Sequence, residues 1–292
     1  MKLVLATRRS PLAMAQSEMV ARSLRASGNV VELLPISTTG DRRSREAAGE
    51  VADVKGLFVK ELEEAILGGW ADAAVHSAKD LPTELPDGLA VLCVPKRVDP
   101  RDVFVGPPGG LDMLPLKARV GTGSPRRQAQ LHDYRRDIVP VDIRGNVDTR
   151  IAKLSRGEVQ GLVLAAAGMT RLGLDMTRAR PLDPFLFVPA PGQGCLAIEG
   201  RRDRVDLVQA LLAIDHAPSR AALQAERAFL RELGGGCFTP VGALCEPDGE
   251  ELRLTGYIKR SGRSSRRGNI AGPVEEADAL GRDLARTLGG VR

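Results

Sequence analysis

Two corners of this 292-residue chain share one design, and they constrain the fold more than any other feature. In each, a short apolar strand ends at a Ser-Pro pair with two adjacent arginines: Arg8-Arg9-Ser10-Pro11 and Ser124-Pro125-Arg126-Arg127. Serine is a common helix N-cap and proline a common first helical residue, so both corners predict strand-to-helix turns. A helix N-terminus flanked by guanidiniums binds anions. The repeat predicts two similar α/β halves that face a shared cleft.

Three further segments place cations where a predicted strand ends. Lys79-Asp80 follows a strand at 72–75, Arg144 and Arg150 surround the start of a helix, and Arg171 follows an apolar stretch at 161–168 that we interpret as a strand. Ligands of open α/β sheets bind beyond the carboxyl ends of the strands. A single arginine at such a position is most often an exposed surface residue without a binding role, but five cationic corners together predict a site for an anionic ligand.

The composition favours a small anionic ligand over nucleic acid. The net charge is only +5 and aromatic residues make up 3% of the chain, which is few for a protein that stacks bases on rings. No apolar run approaches the ~18–20 residues of a membrane helix. The N-terminal residues predict a strand and not a signal peptide, so we expect a cytoplasmic protein.

The four cysteines predict neither a zinc site nor a disulfide framework. Cys93, Cys195, Cys237 and Cys245 form no C-x-x-C pair, and the three histidines are far apart in the chain. Cys93 and Cys195 lie in apolar stretches and are expected in or beside the core. Cys237 follows three glycines, which predicts an exposed loop where a thiol is free to react.

The order of predicted elements suggests three domains. Residues 37–54 read as a long polar loop, either a lid or disordered, and a helix after it has Leu62, Ile66 and Leu67 on one face. From about residue 215 the pattern changes to a helix, two strands and a final helix at 274–288. The predicted domains are residues 1–97 with 193–213, residues 98–192, and residues 214–292.

Seven motifs in order along the chain resemble the porphobilinogen deaminase (hydroxymethylbilane synthase) family. They are Ala-Thr-Arg-Arg-Ser-Pro-Leu-Ala at 6–13, Lys-Gly-Leu-Phe-Val-Lys-Glu-Leu at 55–62, His-Ser-Ala-Lys-Asp at 76–80, Gly-Ser-Pro-Arg-Arg-Gln at 123–128, Arg-Gly-Asn-Val-Asp-Thr-Arg at 144–150, Pro-Gly-Gln-Gly at 191–194 and Gly-Gly-Cys at 235–237. They span nearly the whole chain. Chance agreement over so many separated motifs is implausible.

The resemblance implies an α/β fold of three domains. Two are similar lobes, like those of periplasmic binding proteins, around a cleft, and a small C-terminal α/β domain carries the cofactor loop. It also implies a transferase that condenses four porphobilinogen molecules head to tail, with loss of ammonia, into linear hydroxymethylbilane. The cofactor would be a dipyrromethane held by a thioether to Cys237.

The resemblance also assigns roles to residues of this sequence. Asp80 would stabilise the cation left by loss of ammonia, and Lys79 would act beside it. Each pyrrole carries an acetate and a propionate. This explains the many arginines, because a guanidinium can bind a carboxylate through two parallel hydrogen bonds. The implied cofactor-binding residues are Cys237, Ser10, Lys79, Asp80, Thr122, Ser124, Arg126, Arg127, Arg144 and Gly145. The implied substrate-binding residues are Arg8, Arg150, Arg171, Lys55, Phe58 and Gln193.

The sequence departs from the family pattern at two positions, and two alternative functions are left open. Gly234 extends the glycine run before the cysteine, and Phe238 stands where the family commonly has a polar residue. A non-catalytic, two-lobed polycarboxylate-binding protein would need no Cys237 and would show no turnover. A nucleic-acid-binding protein would bind long polyanions with steep salt dependence. We expect a monomer that acts on a small molecule, with no nucleic-acid or membrane partner and no metal.

Overall fold

The computed structural model describes residues 1–38, 59–234 and 240–289. The chain divides into two compact units, Met1–Val98 with Cys195–Ala221, and Asp99–Gly194 with Ala222–Arg292. Among the described residues, no helix combines the length and the apolar character needed to cross a membrane.

Strands and helices alternate along most of the described chain. The strands are β1 (Lys2–Arg8), β2 (Val30–Ile36), β3 (Ala73–Ser77), β4 (Leu89–Cys93), β5 (Asp102–Val105), β6 (Arg119–Gly121), β7 (Val139–Val141), β8 (Gly161–Ala165), β9 (Ala179–Pro181), β10 (Leu196–Arg201), β11 (Val241–Asp248), β12 (Glu251–Ile258) and β13 (Arg266–Pro273). The α-helices are α1 (Pro11–Ala26), α2 (Lys60–Leu67), α3 (Pro125–Tyr134), α4 (Val147–Ser155), α5 (Ala166–Arg171), α6 (Val205–Leu211), α7 (Ala217–Glu232) and α8 (Ala277–Gly289).

The first unit contains a five-stranded sheet in the order β2-β1-β3-β10-β4. β1 pairs in parallel with β2 and β3, whereas β10 is antiparallel to β3 and β4. Alternate residues of β1 point to opposite faces, as the pleat requires. Leu3 and Leu5 pack with Leu24 of α1 on one face, and Ala6 packs with Leu62 of α2 on the other. The sheet is therefore covered on both sides and its strand ends are held rigidly.

The second unit repeats this design with a sheet in the order β7-β6-β8-β5-β9. β6 pairs in parallel with β7 and β8, and β5 is antiparallel to β8 and β9. In each sheet the antiparallel strand thus occupies the fourth position. The prediction of two similar α/β halves is confirmed.

A third sheet, β11-β12-β13, is an antiparallel meander in the second unit. Helix α8 packs on β12 and β13. A Cβ atom at Gly281 of α8 would collide with the backbone oxygen of Ala225 in α7, so only glycine allows the two helices to approach so closely. The predicted helix–strand–strand–helix order of the C-terminal region is wrong by one strand, because β13 follows the two predicted strands. The residues of β13 are exposed or half-buried and include two glycines, so the sequence shows little apolar pattern there.

Several details differ from the sequence prediction. The apolar stretch at 161–168 is a strand only to Ala165, because α5 starts at Ala166. Leu67 is 48% exposed and does not share the buried face of Leu62 and Ile66. The last helix begins at Ala277, after a short 3₁₀ turn at Val274–Glu276. Cys93 and Cys195 are buried as expected. The predicted loop at 37–54 lies outside the described residues from residue 39 onward.

Candidate active site

The first corner has the predicted cap. Ser10 has an extended backbone, and its Oγ accepts a hydrogen bond from the backbone N–H of Ala13 at 3.3 Å. Pro11 is the first residue of α1, and Arg8 is the last residue of β1. Pro11 has no N–H and the Met14 N–H donates to the Ser10 carbonyl, so the Leu12 N–H is the one in the first helical turn that is left without a partner within the helix. A helix start with a free N–H beside arginines is the kind of corner that binds anions.

Lys79 and Asp80 lie in a 3₁₀ turn that directly follows β3. The turn is anchored by the Ala78 N–H, which donates to the Cys195 carbonyl at 3.1 Å, and by Gln16 of α1, whose Nε2 donates to Ser77 Oγ at 2.9 Å. Both charged side chains are half-buried. Among the residues that the structure describes, no group donates a hydrogen bond to the Asp80 carboxylate.

The structure brings these two corners of the first unit together. β1 and β3 are parallel neighbours, with Leu5 opposite Ala73 and Ala6 opposite Ala74. The carboxyl ends of parallel strands meet at one edge of a sheet, so the Arg8–Ser10 corner and the Lys79–Asp80 turn share that edge. One carboxylate and several cationic or donor groups are thereby placed side by side.

A buried acid–base pair lies beneath this edge, and sequence reasoning missed it. His76 Nε2 is 2.9 Å from Glu199 Oε2, and the two side chains are 5% and 0% exposed. Burial, and after it the charge of Glu199, raises the pKa of Glu63 on α2. The available signal was an acid and a histidine inside otherwise apolar strands, because such groups are buried only with a partner.

The second corner has the same cap chemistry. Ser124 Oγ accepts from the Arg127 N–H at 3.5 Å, and the Ser124 N–H donates to Thr122 Oγ1 at 3.3 Å. Pro125 is the first residue of α3. Thr122 is buried just beyond the end of β6. The corner therefore fixes the start of α3 against a strand end, as in the first unit.

The paired arginines of this corner turn inward and meet an acid of the protein. Arg127 Nη2 donates to Asp102 Oδ1 at 2.7 Å, and Arg126 Nη1 lies 2.8 Å from Asp102 Oδ2. All three side chains are buried. Burial opposes the charge of Asp102, but the two guanidiniums outweigh it and hold the pKa of this carboxyl well below its usual range. The two arginines thus lock α3 to β5.

Gln193 belongs to the same buried network. Its Nε2 donates to Asp102 Oδ1 at 2.8 Å and to the Pro100 carbonyl at 2.7 Å, and the side chain is 1% exposed. Arg171, the last residue of α5, donates to the carbonyl of neighbouring Gly194 at 2.7 Å. These contacts fix the segment Pro191–Gly194 within the second unit.

The third corner, between β7 and α4, is the most exposed of the three. Arg144 pairs with Asp142 at 3.0 Å on the surface, and Arg150 Nε donates to the Gly145 carbonyl at 2.8 Å. Gly145 has φ +109°, and an added Cβ would lie 3.0 Å from Thr149, so the turn requires glycine. Burial, together with the charge of Arg127, lowers the pKa of Arg150.

Comparison with known proteins identifies the family. The family model described as "Porphobilinogen deaminase, dipyromethane cofactor binding domain" matches residues 3–209, and the model of the "Porphobilinogen deaminase, C-terminal domain" matches residues 221–289. The chain belongs to the porphobilinogen deaminase family. Three curated relatives carry the same name. The one from Roseiflexus sp. (strain RS-1) is 45% identical over 289 residues, covering 97% of this chain and 95% of the relative.

The other two relatives are similar over the same length. The porphobilinogen deaminase of Thermus thermophilus is 48% identical, covering 98% of this chain and 95% of the relative. That of Stenotrophomonas maltophilia (strain R551-3) is 45% identical, covering 97% and 95%. Membership of the porphobilinogen deaminase family confirms the resemblance inferred from the sequence, including the transferase reaction, the substrate porphobilinogen and the dipyrromethane cofactor.

The described residues fit the cofactor of the porphobilinogen deaminase family. A dipyrromethane made from porphobilinogen carries carboxylates, and carboxylates need N–H donors. Within the described ranges, the buried Nε of Arg126 has no hydrogen-bond partner. The first turn of α3 also leaves the backbone N–H of Arg126 without a partner within the helix, since Pro125 has no N–H and those of Arg127 and Gln128 donate to Ser124. The second corner therefore retains donors of the kind that the cofactor requires.

Three predicted site residues lie outside the described residues: Lys55, Phe58 and Cys237. No cluster of three or more His, Cys, Asp or Glu that suits a metal ion occurs in the described ranges.

Proposed function

We propose that this chain joins four porphobilinogen molecules through a site built around Asp80 and Lys79. The observation that supports the proposal best is the position of this pair, in the turn after β3 and next to the Arg8–Ser10 corner at the end of β1. A reaction that develops positive charge on a substrate bearing carboxylates needs one acid among several cations, and this edge offers that combination.

Asp80 acts on the charge that develops during the reaction. The bond between the aminomethyl carbon of porphobilinogen and its nitrogen breaks, ammonia leaves, and positive charge spreads over the pyrrole nitrogen. The Asp80 carboxylate stabilises that charge. The carbon–carbon bond that forms next leaves a protonated ring, which the Asp80 carboxylate also stabilises. The attacked ring carbon then passes its proton to this carboxylate, and the proton leaves to solvent. Lys79 pairs with a substrate carboxylate and orients the ring.

The cofactor is held by Cys237 through a thioether, and N–H and guanidinium donors bind its carboxylates. When bound, dipyrromethane supplies the pyrrole carbon to which the first substrate is joined. Its carboxylates are bound by side chains and helix N-termini at the corners described above. The proposed cofactor contacts are Ser10, Lys79, Asp80, Thr122, Ser124, Arg126, Arg127, Arg144 and Gly145.

Substrate carboxylates are bound by the remaining cations. Arg8, Arg150 and Arg171 supply planar forks that match carboxylate geometry. Lys55 and Gln193 also contact the substrate in this proposal, and Phe58 packs against a pyrrole ring. The Gln193 amide is in addition bonded to Asp102.

Intact-protein mass spectrometry tests the cofactor assignment. The chain is expressed in a haem-making host beside Cys237→Ser, with Cys245→Ala as a control at a buried cysteine. We expect an added mass of two linked pyrroles on the wild type and on Cys245→Ala, and none on Cys237→Ser. Wild-type protein that stays unmodified and inactive after incubation with porphobilinogen would contradict the proposal.

We further propose that the enzyme works as a cytoplasmic monomer with three domains, at residues 1–97 with 193–213, 98–192 and 214–292. Its modest charge of +5 and 3% aromatic content support a small-molecule substrate without nucleic-acid or membrane partners. Light scattering on the purified protein checks the monomer, and limited proteolysis checks the boundaries. A stable dimer, or cleavage only within the proposed domains, would contradict these assignments.

A further inference from the structure

A wide groove lies in the second unit, along one side of α3. It encloses about 1580 Å³ and extends from Pro125 of the second corner away from the proposed contacts Ser124, Arg126 and Arg127, which do not line it. Its walls are one face of α3 and the hairpin tip at 259–265 between β12 and β13. The lining residues on α3 and just beyond it share helical spacing: Pro125, Gln128, Ala129, His132, Asp133 and Arg136.

The groove carries an excess of positive charge. Its cationic lining residues are Arg136, Lys259, Arg260, Arg263 and Arg267. The acid in the lining, Asp133, is already satisfied, because Lys259 Nζ lies 2.7 Å from Oδ1 and Tyr257 donates to Oδ2 at 2.8 Å. These two contacts also hold the hairpin against α3.

Three of the groove arginines are free to bind a ligand. Arg136, Arg260 and Arg263 are exposed. Their guanidiniums have no hydrogen bond or ion pair with any residue in the part of the chain that the structure describes. By contrast, Arg267 is engaged, with its guanidinium 5.1 Å from the centre of the Tyr257 ring and Nη2 donating to the Leu186 carbonyl.

The lining indicates what kind of anion fits. It contains no Phe, Tyr or Trp, and the imidazole of His132 is a small platform for stacking bases. Guanidinium forks and the serines Ser261 and Ser264 suit separate carboxylates. The groove begins at Pro125, directly after the Ser124 cap, and Leu233 and Pro240 also line it.

We propose that this groove binds the carboxylates of the oligopyrrole chain as it grows. The inference rests on the proposed function, because that reaction builds a chain with two carboxylates on each added ring. Arg260 and Arg263 bind carboxylates from the hairpin side and Arg136 from the helix side. The groove thus supplies counter-charge for the later additions without touching the reacting atoms.

A binding measurement tests the groove independently of catalysis. The probe is uroporphyrin I, a stable octacarboxylate with the same acetate and propionate side chains, titrated into the full-length protein as purified. The double variant Arg260→Ala/Arg263→Ala is compared with Arg253→Ala, an exposed arginine of the same sheet outside the groove. We expect the double variant to bind about tenfold more weakly or worse, and the control to match the wild type. Equal affinity in all three proteins would overturn the proposal.

Two further arms identify the ligand class. The first uses a short DNA duplex. If the duplex binds the protein more tightly than uroporphyrin I does, and if the double variant loses that binding, the groove is a nucleic-acid site and the proposal is overturned. With limiting porphobilinogen, intact masses should show the double variant accumulating protein that carries incomplete chains, while cofactor attachment is normal. If the double variant shows the same distribution of chain lengths as Arg253→Ala, the growing chain does not bind in the groove. Absence of the cofactor mass in every protein would instead contradict the proposed function.

Discussion

The imidazole of His76 and the carboxylate of Glu199 form a buried pair, with Nε2 and Oε2 2.9 Å apart. The pair joins β3 to its antiparallel neighbour β10, three residues before Lys79. Neither His76 Nε2 nor either Glu199 oxygen has a hydrogen bond with suitable geometry within the described residues, so this close contact of acid and base is what accompanies the buried carboxylate. The pair therefore anchors the strand that presents the proposed catalytic turn.

Replacing only one member of the pair should be costly. His76→Leu leaves a buried carboxylate without its partner, and we expect a loss of about 3–5 kcal/mol in the free energy of unfolding, measured by urea denaturation. The double variant His76→Leu/Glu199→Leu removes both polar groups and should recover most of that loss. The double variant should nevertheless turn over porphobilinogen more slowly than the wild type, because the Lys79–Asp80 turn is no longer held by the pair. Additive losses in the double variant would show that the two groups do not interact.

Asp102 should be essential for the stability of the second unit. Asp102→Asn leaves the buried Arg126 and Arg127 without a counter-charge, and we expect a loss of about 3–5 kcal/mol in unfolding free energy. The matched control is Asp99→Asn, which breaks the partly exposed pair with Arg101 and should cost about 0–1 kcal/mol. Similar losses in the two variants would contradict the buried-network interpretation.

The same carboxyl predicts a pH dependence. Its pKa is lowered in the folded protein, so the unfolded chain binds more protons in the acid range and stability falls as the pH falls. The contribution is complete above the unfolded value of about 3.9 and is lost progressively below it. The free energy of unfolding, measured by urea denaturation from neutral to acid pH, should fall less steeply with falling pH in Asp102→Asn than in the wild type. An unchanged slope would mean that Asp102 is not ionised in the folded state.

Asp80 should matter for rate and not for stability. Asp80→Asn keeps the shape of a half-buried side chain that accepts no hydrogen bond from the described residues, so the melting temperature should hardly change. Turnover of porphobilinogen should fall by about 10²–10⁴-fold. Asp87→Asn, an exposed acid between the same turn and β4, serves as the control and should keep normal turnover. Normal turnover in Asp80→Asn would remove this residue from the mechanism.

The contact between α7 and α8 can be tested at Gly281. Gly281→Ala drives a methyl group into the backbone of α7, and we expect a loss of about 1–3 kcal/mol in unfolding free energy. Asp283→Ala, on the exposed side of α8, should change stability by less than about 0.5 kcal/mol. Tolerance of Gly281→Ala would mean that the helices are packed more loosely than described.

Local chemistry explains what the sequence predicted well. Ser10 and Ser124 are caps, and the cap, the proline after it and the apolar spacing all lie within a few residues of one another. The helices and the first two strands of the C-terminal region were predictable for the same reason, but β13 was missed because its polar, glycine-containing sequence has little apolar pattern. Element ends were less predictable, and α5 begins inside the apolar stretch because its first residues are small and equally compatible with helix or strand.

Long-range pairing explains what the sequence did not predict. The sequence did not predict that Asp102, which lies 24 and 25 positions earlier in the chain, would engage both Arg126 and Arg127. His76 and Glu199 are separated by more than a hundred residues. Only the presence of charged groups inside apolar strands hinted at such partners, and that hint does not say which residues pair.

The position of β10 in the first sheet has a consequence during synthesis on the ribosome. This strand lies between β3 and β4, yet it is made only after all strands of the second sheet. Until Leu196–Arg201 has emerged, one edge of β3 has no neighbour, and β4 has no partner among the described strands. An unpaired edge invites association with other chains. The first sheet therefore cannot be completed before about two thirds of the chain has been translated. A messenger RNA truncated before that point encodes a first sheet with unpaired strand edges.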